Sequence, residues 1–142
     1  MSMTLNERNT NIMPVFIGTQ ASTITLPVGY FRKHSRIKFV DLLDQAGISA
    51  SNSNYLLFSL QDSSSNVYAT YDTRAAGQGA VTANSAAQFA IPSPDLTNDS
   101  PYTPVAEEEI DVPAGTQLNL VITANGTVTT TKALLQLEYY PL

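Results

Sequence analysis

His34 is the only histidine in the chain, and it sits within Arg32-Lys33-His34-Ser35-Arg36. An imidazole beside a hydroxyl could act as the base of a nucleophilic system. Here, however, cations flank it on both sides and disfavour its protonated form. No Gly-x-Ser-x-Gly elbow is present either. The expected role of His34 is therefore that of a surface or interface residue. The acidic residues gather elsewhere: Glu107, Glu108, Glu109 and Asp111, with Asp95 and Asp99 upstream. Calcium takes carboxylate oxygens, but the Asp-x-Asp-x-Asp-Gly spacing of a calcium loop is missing. Two carboxylates could also cleave a glycoside, yet no spacing singles out a pair. With no cysteine and one histidine, a zinc site would have to lean on carboxylates, which is unusual. The expectation is no catalytic residue, no metal and no cofactor.

Charge is more informative than any catalytic pattern. Arg32, Lys33, Arg36 and Lys38 are four of the seven basic residues, and the stretch 107–111 forms an opposite pole. Poles of this kind can meet between neighbouring copies and set orientation and register. The competing reading is two ordinary solvated loops. The net charge of −5 argues against a general nucleic-acid binder, which needs a basic face to displace counterions. No apolar run approaches the length of a membrane span. Met1 to Met13 lacks the apolar core of a signal peptide, so synthesis and folding in a cytoplasm are expected.

The elements that must carry these residues are strands. Only 13% of residues are charged, while serine, threonine, asparagine and glutamine make up 46 of 142. Such a composition favours strands and turns over solvated helices. Leu56, Phe58 and Leu60 alternate in a confident strand over 55–61. A turn at 62–66 leads into a second strand over 67–74. Ile37 and Phe39 share a parity in the unit 30–44. In the last third, Leu118, Leu120 and Ile122 alternate before Asn125-Gly126, and Ala133, Leu135, Leu137 and Tyr139 alternate after it. Asn-Gly tolerates the positive φ of a tight turn, so these two runs read as a closing antiparallel hairpin. About eight strands result, with a long loop at 92–104 that permits a crossover between sheets. The predicted fold is all-β: an antiparallel β-sandwich of jelly-roll type. Residues 1–17 form an extended N-terminal arm and residues 18–142 the domain. Ile12, Met13, Val15 and Phe16 punctuate that arm and could pair with a neighbour's sheet edge, or Val15 to Ile17 could enter the chain's own core.

From Leu42 to Tyr140 the order of features resembles the small jelly-roll decoration, or cement, proteins of tailed-bacteriophage capsids. The segment Ala46-Gly47-Ile48-Ser49-Ala50-Ser51-Asn52-Ser53-Asn54-Tyr55 leads into Leu56-Leu57-Phe58-Ser59-Leu60. A second strand with Ala69-Thr70 and the small-residue loop 74–83 follow. Val112-Pro113-Ala114-Gly115-Thr116-Gln117-Leu118 opens the penultimate strand, and Asn125-Gly126-Thr127 and Leu135 to Tyr140 complete the series. The resemblance spans roughly 100 residues and leaves the first 40 and the stretch 92–109 without counterpart. It implies a structural virion protein on the outer capsid surface, bound to the major capsid protein, oligomeric as a dimer or trimer, contacting neither nucleic acid nor membrane. From the residues themselves, the apolar arm and the two charge poles, the partner-binding candidates are Ile12, Met13, Val15, Phe16, Arg32, Lys33, Arg36, Lys38, Glu107, Glu108 and Glu109. A carbohydrate-binding jelly-roll module of a phage fibre is the alternative. It would need Tyr30, Tyr68, Tyr71 and Tyr102 gathered on one surface.

Overall fold

The computed structural model describes residues 9–15, 19–20, 22–90, 110–129 and 133–142. Among them every regular element is a strand: β1 (Asn9–Val15), β2 (Thr19–Gln20), β3 (Ile24–Phe31), β4 (Ser35–Asp44), β5 (Tyr55–Asp62), β6 (Val67–Asp72), β7 (Ala87–Gln88), β8 (Ile110–Val112), β9 (Thr116–Asn125), β10 (Val128–Thr129) and β11 (Ala133–Pro141). Eight of these have three residues or more. One sheet runs β1-β11-β4-β7, with β8 also on β4, and the other runs β3-β9-β5-β6. All pairings are antiparallel, including a short β2–β10 pair. The chain is an all-β sandwich.

Period-two patterning explains the core. Leu56, Phe58 and Leu60 of β5, Leu118, Leu120 and Ile122 of β9, and Leu135 and Leu137 of β11 are all buried. They join Ile37, Val40 and Leu42 of β4 in one cluster fed by both sheets. Each such side chain contributes about 1.5–3 kcal/mol by leaving water. The expected strands at 55–61 and 67–74, with their turn, are β5 and β6 in register from Leu57↔Asp72 to Leu60↔Ala69. Their outer edge is closed by a strap. Phe89 N–H donates to Val40 O (2.9 Å), and the next residue, Ala90, exchanges two hydrogen bonds with Thr70 (2.8 and 2.9 Å). Phe89 itself packs on Phe58 and Tyr71, with ring centroids 6.3 and 6.0 Å away.

Two expectations are corrected. The two runs flanking Asn125-Gly126 are not hairpin partners: β9 lies between β3 and β5, while β11 lies between β1 and β4 in the other sheet. Alternation shows that a strand has one buried face but does not name the strand beside it. The turn also lacks the dihedrals of the tight hairpin form. Gly126 has φ of +69°, but Asn125 is not among the positive-φ residues, and a type I′ turn needs both. Asn125-Gly126 instead leads from β9 into β10, which pairs with β2. The second correction concerns β4. Ile37 is buried, but Phe39 faces out at 39% exposure and Val40 is buried again. The pairing to β11 slips here, from Phe39↔Glu138 to Ile37↔Tyr139. Lys38 is thus the extra residue of a β-bulge, which flips the parity of everything after it.

The bulge leaves Phe39, Asp41 and Leu43 on the outer face of the five-stranded sheet, across from Glu138, Gln136 and Leu134 of β11. Half-burial there pushes the Asp41 carboxyl above its ordinary range, and Glu138 adds like-charge repulsion. An acid whose pKa is raised on folding opposes folding once it ionises. The cost is absent below the unfolded pKa and sets in as pH rises through the folded one. Asp41→Asn is therefore expected to raise the melting temperature slightly at neutral pH and to have no effect below about pH 4. Because the group is half solvated, the gain is a few tenths of a kcal/mol. Thermal melts of both chains across the acid range check this.

Candidate functional site

The cationic residues fall at one corner of the sandwich. β3 ends at Phe31 and β4 starts at Ser35, so Arg32, Lys33 and His34 form the connection. Three contacts fix this short turn. Gly115 N–H donates to Phe31 O (2.7 Å), Leu142 N–H to His34 O (2.9 Å), and Ser35 Oγ to Lys33 O (2.9 Å). The β8–β9 turn and the end of β11 thereby clamp the corner from two sides.

Beside the turn lies an open cleft of about 410 Å³, lined by Tyr30, Phe31, Arg32, Lys33, Tyr139 and Pro141 among others. Tyr30 is 59% exposed, and the Arg32 guanidinium carbon lies 5.9 Å from its ring centroid, within cation–π range. Phe31 and Tyr139 meet edge to face at 5.2 Å and join the two sheets at the cleft floor. The cleft therefore has one apolar wall and a cationic rim.

Arg36 faces a different partner. The β4–β8 register sets Arg36 opposite Asp111, and Arg36 Nε donates to Asp111 Oδ1 at 2.8 Å. His34 Nε2 lies 3.9 Å from the same oxygen. Hydrogen bonds from Arg36 to Asp111, and then to Tyr140, hold the guanidinium pKa above its ordinary value. The His34 and Asp111 side chains are 51% and 59% exposed. This is an open surface cluster, and the adjacent hydroxyl, Ser35, is turned to Lys33 O. Asp111 belongs to the stretch expected to oppose the basic cluster, yet it pairs with Arg36 inside the same chain. The separation in sequence hides a cross-strand contact.

The other expected partner-binding residues divide as follows. Lys38 sits at the bulge with Nζ 5.8 Å from the Phe39 centroid, on the outer sheet face. Ile12, Met13 and Val15 lie in β1, which pairs with the chain's own β11 from Asn9↔Tyr139 to Val15↔Ala133. Phe16, Glu107, Glu108 and Glu109 lie outside the described residues, as does the loop 92–104. The aromatic lining of the cleft was not legible in the sequence. Tyr139 and Pro141 reach Arg32 and Lys33 only because β11 pairs with the start of β4, down to Pro141↔Ser35.

A second cleft, of about 460 Å³, is lined by Tyr71, Gln78, Thr82, Ser85 and Gln88 among others. Several of its polar groups serve the loop 73–80 itself. Tyr71 Oη donates to Gly79 O and Ala80 O (3.3 and 3.1 Å). Gln78 Oε1 accepts from Asp72 N–H (2.9 Å), and its Nε2 donates to Gln88 O (3.3 Å). The tyrosines do not gather. Tyr30 is on β3 and Tyr68 on β6, at opposite edges of one sheet. Tyr71 is buried, and Tyr102 lies outside the described residues. Tyr68 Oη donates to Asp62 Oδ2 at 3.3 Å. Burial raises the phenol pKa of both Tyr68 and Tyr71.

Among the described residues no group of three or more histidine, cysteine or carboxylate side chains could hold a metal ion. No helix among them is long and apolar enough to cross a membrane. No family model, no curated protein and no solved structure matches the chain.

Proposed function

We propose that this chain is a structural virion protein that binds the outer surface of a tailed-bacteriophage capsid and braces contacts between capsomers. The observation that carries the reading is the strand order. The first strand, β1, lies beside the last, β11. β3 lies beside β9, and the inner positions are filled by β11 and β4 in one sheet and by β9 and β5 in the other. That wrapped order supports a jelly-roll reading of the sandwich, an architecture that recurs in viral capsid and lectin domains. Between those two classes, the scattered tyrosines weigh against a glycan groove, and the cationic corner on an acidic chain favours docking to a protein surface. Under this proposal the major capsid protein is the partner, and Arg32, Lys33, Arg36 and Lys38 contribute to the docking surface. The protein acts as a homodimer or homotrimer, so that many weak contacts add over the shell. No reaction, cofactor or nucleic acid enters the proposal.

Co-sedimentation with assembled capsids from the same source tests it. The purified protein is expected to pellet with shells in saturable, fixed stoichiometry and to lose binding as salt rises. Protein that stays in the supernatant at low salt and shell excess would overturn the reading.

A further inference from the structure

The corner cleft carries an inference about ligand chemistry. We infer that the cleft formed by Tyr30, Arg32, Lys33, Tyr139 and Pro141 binds a protein segment that presents acidic side chains next to an apolar or aromatic one.

The argument starts from charge. The chain carries −5 overall, and the β3–β4 turn sets Arg32 and Lys33 side by side against that balance. Arg36 is engaged by Asp111, which also stands near His34. Arg32 and Lys33 form no ion pair with a carboxylate among the described residues. Arg32 is laid over the Tyr30 ring at 5.9 Å, which orders its planar fork for two-point contact with a carboxylate. Lys33 adds a second positive charge beside it. The backbone on either side is pinned at Phe31 O and His34 O, so little backbone ordering remains to be done on binding. The Phe31–Tyr139 contact and Pro141 supply the apolar wall.

Size and charge count choose between anions. A cleft of about 410 Å³ takes two or three side chains, not a polymer track. Affinity for nucleic acid grows with the number of phosphates neutralised. Two cations bordered by Asp111 offer few such contacts and one repulsion. An acidic peptide needs only one or two carboxylates at the rim and buries its apolar residue on the wall.

This inference deepens the docking proposal and rests on it for the claim that the corner meets a shell; the test below contains no shell. Fluorescence anisotropy would follow a labelled glutamate- and tyrosine-containing peptide titrated with the full chain. Its glutamine counterpart and a single-stranded oligothymidylate of equal charge serve as comparison probes. The glutamate peptide is expected to bind, to weaken about tenfold or more for Arg32→Glu/Lys33→Glu, and to weaken as salt rises from about 50 to 200 mM. The other two probes should bind at least about tenfold more weakly. If the double variant does not fold, Lys33→Glu alone and Tyr30→Ala read the same surface, and each should weaken binding measurably. Equal binding of the glutamate and glutamine peptides, tighter binding of the oligonucleotide, or indifference to the substitutions would each overturn the inference. Shell binding without peptide binding would sink the cleft assignment alone. Peptide binding without shell binding supports the cleft and removes only the capsid.

Discussion

Gly126→Val is expected to lower stability by about 2–4 kcal/mol. Gly126 adopts φ of +69°, where a β-branched residue is strained by sterics between its Cβ and the backbone. Space is a second obstacle. A Cβ built there would lie 2.8 Å from Ser53 O, a backbone atom, and would overlap Asn54 Oδ1. The side chain of Asn54 could swing away. Doing so would give up its hydrogen bond from Thr127 N–H (3.3 Å), and moving Ser53 would disturb the bond from Asn125 Nδ2 (2.8 Å). Those two contacts tie the β9–β10 turn to the loop before β5. Urea unfolding measures the effect. Gly126→Ala should lose less, because alanine lacks the branch. A midpoint for Gly126→Val equal to that of the parent would mean the turn is not built as described.

Arg74→Ala is expected to cost about 3 kcal/mol or more, since it strands a buried charge. Asp72 has no solvent exposure. Its carboxylate accepts from Arg74 N–H (2.9 Å) and Arg74 Nε (2.7 Å), and Arg74 Nη2 also donates to it. Asp72 O accepts from Gln78 N–H (2.9 Å) and Gly79 N–H (3.1 Å). One residue thus organises the loop 73–79 from both its side chain and its backbone. Arg74 in turn lies 5.0 Å from the Tyr55 centroid, which anchors the guanidinium against β5. Arg74→Lys cannot reproduce the two-pronged contact and should recover under half of the loss. Asp72→Asn with Arg74→Ala should be milder than Arg74→Ala alone, because no unpaired charge remains. A double-mutant cycle by chemical denaturation reads these terms. A strictly additive result would show that the pair contributes no coupling.

The strands were legible because each buries one face. The alternation at Leu56-Phe58-Leu60 and at Leu118-Leu120-Ile122 survives intact as buried rows. What the pattern could not hold was partnership. Leu135 and Leu137 look the same in sequence whether β11 pairs with β9 or with β4, since both neighbours bury an apolar face. The β4 bulge escaped for a related reason: Phe39 is as apolar as Val40, so only pairing to Glu138 reveals which one faces out. The cationic corner was visible as Arg32, Lys33 and Arg36 within a few positions. Its aromatic half was not, because Tyr139 and Pro141 arrive from the far end of the chain. Asp111 shows the same limit. It read as one pole of a dipole, and in the structure it shields Arg36.

The pairing of β1 with β11 bears on how the molecule can be handled. Asn9 stands opposite Tyr139, and Leu142 is tied to His34, so the start of the first strand and the end of the last emerge side by side at the cationic corner. A displayed cargo fused after Leu142 would hang over the cleft. The loop before β5 stands at the other end of its sheet, where Tyr55 is opposite Asn125, so an insertion at the exposed Ser49-Ala50 leaves this corner clear.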